Sequence, residues 1–292
     1  MEKERKLRRT AEFSLCNEKG NTMDEKRFEA AKSKVIGKAR ERTGIGTFQE
    51  KTVHAVLKNY YAPDENTHEV TVGNYVADIF DGESIWEIQN GNFYKIRAKL
   101  DAFLAQYPVT IVYPIPHHKW LIWIDEETGE LSPRRKSPLT GNAYRAFPEL
   151  YRIKSYLKNE KLRFIFPLVD MEEYRLLNGW SKDRKKGSRR YDRIPVGLFD
   201  EVTIEARTDY LQFLPEALPS LFTSKELAKT AKIPVKTARN TLHILTYLDI
   251  VKIAGKSGNA YLYQRSIPDG NPLEKKTSLK YNNKALFPKG RE

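Results

Sequence analysis

Two acidic side chains flank a short turn in a segment that is otherwise largely apolar. The segment YVADIFDGESIWEIQ contains two strand-like runs joined by Asp81–Ser84, and a four-residue loop there pairs Phe80 with Ile85. Extended along the strands, the same register places Asp78 opposite Glu87, with Cβ atoms about 4.5–5.5 Å apart. Like charges at this distance destabilise each other unless something neutralises them, and a divalent cation would do so.

The groups around this pair are also oxygen donors. Gln89 follows Glu87 at i+2 and shares its face, and the backbone carbonyl of Ile88 lies between the two side chains. Asp78, Glu87 and this carbonyl make a set suited to Mg²⁺, which keeps several waters and takes only one or two carboxylates from a protein. Two carboxylates on a solvated hairpin face are the alternative, which the spacing leaves open.

Glu50 is a third acidic candidate. On a helix that begins at Thr47, it is spaced i, i+3, i+7 with Val53 and Leu57, on or beside the apolar stripe that must face the sheet. A carboxylate there either contributes to the site or closes a capping box by bonding back to the Thr47 amide. Both interpretations stay open for Glu50 taken alone.

The elements that must position these residues alternate between helix and strand. A helix over residues 47–61 is followed by strands HEVTVGNYVADIF and SIWEIQ, helix NFYKIRAKLDAFLAQ, and strands PVTIVYPIP and KWLIWID. Next come a helix ELYRIKSYLKN, a strand LRFIFPLVD whose apolar run suits a central position, a short helix MEEYRLLNGW and a strand VGLFDEVTIE. The second helix has its apolar residues at the helical period: Phe93, Ile96, Leu100 and Phe103.

In this order, the segments GTFQEKTVHAVLK, YVADIFDG and IWEIQN resemble the PD-(D/E)XK nuclease superfamily, whose fold is called restriction-endonuclease-like or resolvase-like. That family has an acidic residue in the first helix, Asp on the next strand and Glu-x-Lys on the following strand. The resemblance covers about residues 44–125 and implies an α/β fold, a mixed sheet flanked by helices. It also implies that Asp78 and Glu87 bind catalytic Mg²⁺ (or Mn²⁺), with Glu50 as a possible further ligand, for hydrolysis of DNA phosphodiester bonds.

One position departs from the family pattern. The usual lysine is Gln89 here, which can orient a water but cannot lower its pKa, so the metal would have to activate that water. Lys95 and Lys99, four apart on the next helix, are candidates for a lysine that has moved there. Catalysis is therefore one alternative, and a non-catalytic DNA-binding regulator with a degenerate nuclease fold is the other.

The chain is basic, with 51 Lys and Arg against 38 Asp and Glu, a formal charge of +13 and a pI near 9.5. Such an excess predicts a polyanionic partner, with nucleic acid as the leading candidate. Part of it lies in a predicted loop after Trp180, where a run of cations has Trp180 and Tyr191 near its ends, and such a combination can contact phosphates and stack on bases. Its cations, which an ordinary solvated loop would also explain, are Lys182, Arg184, Lys185, Lys186, Arg189, Arg190 and Arg193.

A further set of basic residues lies in residues 215–265, which resemble a winged helix-turn-helix domain. Thr223-x-x-Glu226 is a capping box that opens SKELAKTA, and Ile233-Pro234 makes the turn before VKTARNTLHILTYL. That helix has a buried stripe of Ala238, Leu242, Leu245 and Leu248. The residues expected to contact DNA are Lys236, Thr237, Arg239 and Asn240 on its other face and Lys256 on the wing.

These patterns give a domain organisation: a charged N-terminal arm over 1–43 that packs loosely, a nuclease-like α/β domain over 44–210, a winged helix over 211–266 and a flexible tail over 267–292. One cysteine, Cys16, excludes an intrachain disulfide, and no apolar run approaches the roughly 20 residues of a spanning helix. We therefore expect a cytoplasmic, prokaryotic protein that acts on double-stranded or branched DNA without a membrane, with a homodimer left open. An interaction scaffold without a nucleic-acid role is the remaining rival.

Two further histidines are adjacent in the sequence. His117 and His118 follow Pro114 and Pro116, which favours a strand-end loop over a metal site at this pair.

Overall fold

One mixed β-sheet organises the fold. The structure is a computed structural model that describes residues 25–36, 52–180 and 186–266. Within these residues the sheet has eight strands in the order β1-β2-β3-β4-β7-β5-β6, with β8 paired to β7. The strands are β1 (His68–Val72), β2 (Tyr75–Phe80), β3 (Ile85–Ile88), β4 (Val109–Val112), β5 (Ile115–Ile124), β6 (Arg135–Lys136), β7 (Leu162–Trp180) and β8 (Lys186–Ile204).

Strand β7 is the axis of this sheet. It runs parallel to β4 through residues 162–165 and parallel to β5 through residues 168–176, and β8 pairs with it antiparallel along its length. Strand β3 is parallel to β4, whereas β1, β2 and β3 form antiparallel pairs. The prediction that LRFIFPLVD occupies a central position is therefore confirmed.

Helices cover both faces of the sheet. In the described chain they are α1 (residues 25–36), α2 (Thr52–Tyr61), α3 (Arg97–Phe103), α4 (Phe147–Arg152), α5 (Ser224–Thr230) and α6 (Val235–Tyr247). Ile111 packs in the apolar cluster of α3 and α4, and its neighbour Val112 packs in the cluster of α1 and α2. Successive side chains of a strand point to opposite faces, so the two helix pairs lie on opposite sides of the sheet.

Residues 25–36, the described part of the expected arm, pack more closely than we predicted. Helix α1 buries Phe28 and Ala31, and the Phe28 ring meets Tyr60 of α2 edge-on, with centroids 5.6 Å apart. The charges of α1 suggested a solvated segment, but two apolar residues at i and i+3 suffice to dock one side of it.

The long β7–β8 hairpin corrects two sequence predictions. Residues 171–180 are not a short helix but the second half of β7, because their backbone pairs with β8 on one edge and, as far as Leu176, with β5 on the other. Such non-local pairing overrides a local helix preference. The predicted basic loop is also wrong from Lys186 to Arg193, which lie in β8, while residues 181–185 lie outside the described chain.

A small three-stranded antiparallel sheet with two helices follows. Its strands, in the order β10-β11-β9, are β9 (Leu221–Phe222), β10 (Val251–Ser257) and β11 (Ala260–Arg265). Thr223 and Glu226 form the predicted capping box of α5. The predicted stripe is fully buried at Ala238, Leu242, Leu245 and Leu248. These residues belong to the same apolar cluster as α3 and α4, and α6 packs against α4.

A close backbone contact at Gly141 gives a first prediction. A Cβ atom there would lie 1.9 Å from the carbonyl oxygen of Pro116, far inside van der Waals contact. We expect Gly141→Ala to lower the free energy of unfolding by about 1–3 kcal/mol, because the backbone must shift. Gly255→Ala, at a glycine with no atom within 4 Å of the added Cβ, is the matched control. Urea denaturation of both variants checks this, and equal midpoints would contradict it.

Candidate functional site

The hairpin that carries the acidic pair has the predicted register. Strands β2 and β3 pair Phe80 with Ile85 and Ile79 with Trp86. The turn is held by Asp81, whose Oδ1 accepts hydrogen bonds from the amides of Glu83 (2.9 Å) and Ser84 (2.7 Å). An aspartate that caps its own turn in this way fixes the hairpin locally.

Asp78 and Glu87 come next along the two strands. The Oδ2 atom of Asp78 accepts a hydrogen bond of 2.7 Å from the amide of Ile88 on β3. The Asp78 carboxylate thereby takes the place of a backbone acceptor for that amide, next to Glu87. The side chain of Glu87 has no exposed surface.

Lysine 99 reaches this pair from helix α3. Its Nζ lies 2.9 Å from Oε1 and 3.0 Å from Oε2 of Glu87. Gln89, the first residue after β3, donates from Nε2 to Glu87 Oε2 at 3.4 Å. Of the two lysines proposed from the sequence, Lys99 is thus at the acidic pair, and Lys95 is exposed on the preceding 3₁₀ turn Phe93–Ile96.

The two carboxylates of the pair, Asp78 and Glu87, repel each other when both are ionised. Burial, together with the charge of Asp78, raises the pKa of Glu87 to about 7 against the opposing effect of Lys99. Burial would also raise the pKa of Asp78, but hydrogen bonds with His54 and the Ile88 amide, and the nearby charges, lower it below its ordinary value. The site therefore holds one ionised carboxylate beside one that titrates near neutral pH.

His54 is a residue that the sequence interpretation missed. Its Nε2 lies 3.1 Å from Asp78 Oδ2, and the residue belongs to α2. Residues four apart share a helix face, so the spacing from Glu50 to His54 was a usable signal. Glu50 itself lies outside the described residues.

A second cluster lies at His117, His118 and Asp170. Asp170 Oδ1 is 2.9 Å from Nδ1 of His117, 3.4 Å from Nδ1 of His118, and accepts the His118 amide at 2.8 Å. The two histidines lie within β5, at an irregularity in its pairing with β7, and not in the strand-end loop that the prolines predicted. Asp170 is far away in sequence, so no local pattern pointed to it.

A third cluster surrounds the buried carboxylate of Glu173. Four cations of β5, β7 and β8 contact it: Lys119 at 3.3 Å, Arg175 at 2.8 Å, Arg190 at 3.7 Å and Arg193 at 3.0 Å. Burial would raise the pKa of Glu173, but the Arg175 hydrogen bond and the charges of Arg193 and Lys119 lower it to about 2. Glu173 is therefore ionised throughout the neutral range and holds these cations together.

Arg190 and Arg193 are the predicted basic residues whose side chains the structure describes here. Lys182, Arg184 and Lys185 lie outside the described residues, and only the backbone of Lys186 and Arg189 is described, within β8.

Comparison with known proteins places these clusters in a family. The family model titled "Domain of unknown function (DUF8091)" matches residues 51–205, just over half of the chain. The chain belongs to this family. The matched DUF8091 region includes the acidic pair and the clusters at Asp170 and Glu173, and it ends before the small C-terminal sheet.

A bacterial relative extends over more of the chain. An uncharacterized protein from Treponema pallidum (strain Nichols) is 26% identical over 229 residues, which is 78% of this chain and 90% of that protein. No solved structure matches the chain. Both matches show that the chain has relatives, but neither names an activity. The function must therefore be argued from the site.

The residues proposed for DNA contact beyond the DUF8091 region lie on α6 and the β10–β11 hairpin. Lys236 and Arg239 are exposed, and Thr237 and Asn240 are half-buried beside them. Lys256 lies over the ring of Tyr261, 5.2 Å from its centroid.

None of the described helices has the length and apolar character that crossing a membrane requires.

Asp78 and Lys99 have opposite effects on the pKa of Glu87, and this gives a second prediction. Asp78→Asn removes a negative neighbour and should lower the pKa of Glu87, whereas Lys99→Met removes the cation and should raise it above about 7. A titration of side-chain carboxyl resonances by ¹³C NMR measures both shifts. Lys95→Met, four residues away on an exposed side chain, is the matched control and should leave the titration of Glu87 in place.

The same shift predicts the pH dependence of stability. The pKa of Glu87 is higher in the folded protein than its ordinary value of 4.5. Its contribution to the free energy of unfolding is therefore fully present below pH 4.5 and is lost as the pH rises to about 7. Both predictions rest on the same electrostatic account, and pKa shifts of Glu87 in the same direction in Asp78→Asn and Lys99→Met would contradict it.

Proposed function

We propose that this protein is a metal-dependent nuclease that hydrolyses DNA phosphodiester bonds, with Asp78 and Glu87 as ligands of Mg²⁺ or Mn²⁺. The observation that carries the proposal is the fully buried carboxylate of Glu87 next to Asp78, with its pKa raised to about 7. A pair of carboxylates in this state gains stability when a dication binds between them.

The order of elements supports the proposal. Helix α2, the antiparallel strands β1, β2 and β3, helix α3 and the parallel strand β4 follow one another as in the PD-(D/E)XK superfamily. The acidic pair lies on the second and third of these strands, where that family has its Asp and Glu. Restriction-endonuclease-like is accordingly the finer fold assignment that we propose.

The donor set fits a hard cation. Carboxylate oxygens are the ligands that Mg²⁺ and Mn²⁺ take from proteins. Here two carboxylates, those of Asp78 and Glu87, lie on neighbouring strands. When bound, the metal would lower the pKa of a water and stabilise negative charge on the phosphate.

The chain's own residues would orient and balance this site. His54 and the Ile88 amide hold the Asp78 carboxylate in place through hydrogen bonds of 3.1 and 2.7 Å. Gln89 supplies a neutral donor for orienting a water, as its position in the family pattern implies. Lys99 supplies the cation that the family usually carries at the position of Gln89, and it does so from the neighbouring helix.

The second candidate function is a DNA-binding regulator with a degenerate site. One observation favours it: Lys99 already contacts both oxygens of Glu87, so the buried charge has a partner without any metal. The two functions differ in what Lys99 is for, a catalytic cation or a structural counter-charge.

A cleavage assay separates these candidates. Plasmid, linear and branched DNA are incubated with the protein in Mg²⁺ or Mn²⁺, beside Asp78→Asn and Glu87→Gln. We expect each substitution to reduce the rate by about 100-fold or more, because each removes a metal ligand. Glu83→Gln, an exposed carboxylate on the turn of the same hairpin, is the matched control. Cutting that survives both substitutions would overturn the metal site, and DNA binding without cutting would favour the regulator.

The same assay tests the lysine. Lys99→Ala should slow cleavage more than Lys95→Ala, since Lys99 alone of the two contacts Glu87 in the described structure. The reverse order would remove Lys99 from the mechanism.

We further propose that the C-terminal sheet and helices form a winged helix that binds DNA through α6. The exposed cations Lys236 and Arg239 near the start of α6 support this assignment. We expect Lys236→Ala combined with Arg239→Ala to weaken binding and to lower the dependence of log K on log salt concentration by about 1–2.

Fluorescence anisotropy with labelled duplex DNA, in the Asp78→Asn background to prevent cutting, measures this. Lys26→Ala combined with Lys161→Ala removes the same charge from exposed sites elsewhere and is the control. Equal affinity and salt slope for the two double variants would exclude α6 as the DNA contact.

A further inference from the structure

We propose that His117, His118 and Asp170 form a second metal site, one for a transition-metal dication such as Zn²⁺, Co²⁺ or Ni²⁺. One ligand atom from each residue lies within 4.8 Å of the others. The proposal stands apart from the nuclease function, because it uses different residues and a different class of metal.

The spacing of the donor atoms fits such an ion. Asp170 Oδ1 lies 2.9 Å from Nδ1 of His117 and 3.4 Å from Nδ1 of His118. Zinc–ligand bonds of about 2.0–2.1 Å at tetrahedral angles place the ligand atoms roughly 3.3 Å apart. A metal between these atoms would therefore need only small side-chain movements, and it would replace the proton that Asp170 and His117 share.

A backbone irregularity brings the two histidines together. Neighbouring residues of a regular strand point to opposite faces. Here the pairing of β5 with β7 shifts between Pro116 and Lys119, and the rings of His117 and His118 lie 4.0 Å apart. Bulges of this kind re-aim side chains and are common beside functional sites.

Packing holds the cluster in this arrangement. The His117 ring stacks on Phe199, with centroids 3.7 Å apart and an interplanar angle of 14°. The carbonyl of His117 accepts a hydrogen bond of 2.8 Å from the amide of Gly141, the glycine whose backbone packs against Pro116. Ligands whose orientation is fixed in advance bind a metal with less loss of side-chain freedom.

The donor types select the class of metal. Imidazole nitrogen suits Zn²⁺, Co²⁺ and Ni²⁺, whereas Mg²⁺ prefers oxygen ligands, so this cluster and the Asp78–Glu87 pair should take different ions. The His118 and Asp170 side chains are 27% and 26% exposed. Three protein ligands with access to solvent leave a coordination position for water or for an anion.

The experiment measures Zn²⁺ binding by isothermal titration calorimetry on the full chain without a polyhistidine tag, in excess Mg²⁺. His118→Ala and Asp170→Asn should each weaken Zn²⁺ binding by more than about tenfold. Asn retains an acceptor for the His118 amide, so Asp170→Asn removes the charged ligand while keeping the size of the side chain. Asp78→Asn and His243→Gln, which leave this cluster intact, are the controls and should bind Zn²⁺ as the unmodified protein does.

Two spectroscopic measurements complete the test. Zinc X-ray absorption should show imidazole nitrogen among the ligands, and Co²⁺ should quench tryptophan fluorescence, since the Trp120 ring lies 6.2 Å from that of His118. Unchanged Zn²⁺ affinity in His118→Ala and Asp170→Asn, or a metal shell without imidazole, would overturn the proposal. Loss of Zn²⁺ binding in Asp78→Asn would overturn it too, because it would move the site to the acidic pair.

Discussion

Glu87 and Asp78 lie side by side on adjacent strands, and Glu87 has no exposed surface, so the fold must offset a like-charge pair inside the protein. It does so from both faces of the sheet. Lys99 approaches from α3 and His54 approaches from α2, and these two helices belong to opposite apolar clusters. The acidic pair therefore has a side-chain partner from a helix on each face of the sheet.

Strand β7 extends the same logic to the other two clusters. It carries Asp170 and Glu173 three residues apart. Asp170 contacts a histidine of β5, and Glu173 contacts a lysine of β5 and an arginine of β8. Strand β7 pairs on both edges, with β5 on one side and β8 on the other, and its carboxylates therefore lie among side chains of these two strands. The buried carboxylate of Glu173 is satisfied by a lysine and three arginines, and the partly exposed carboxylate of Asp170 is satisfied by two histidines.

The sequence predicts those parts of the structure that local chemistry decides. The hairpin register follows from Asp81–Ser84, and the buried stripe of α6 follows from the helical period. Residues 171–180 were predicted wrongly because their strand state depends on pairing with β5 and β8, which no local pattern contains. The same holds for the site. The pairing of Asp78 with Glu87 is local and predictable, and Lys99 is within reach of a helical argument, but Asp170 meets His117 only through the register of β5 against β7.

The position of Lys99 bears on the choice between the two functions that we propose. Lys99 comes from a helix and contacts both oxygens of Glu87, so a cation that binds Glu87 would compete with it. Displacement would leave Lys99 next to the metal, able to act on a water or a phosphate, whereas a site that never binds metal keeps Lys99 as a counter-charge. The contact thus gives the buried carboxylate of Glu87 a counter-charge without a metal, and the affinity for the cation would decide between the two functions that we propose.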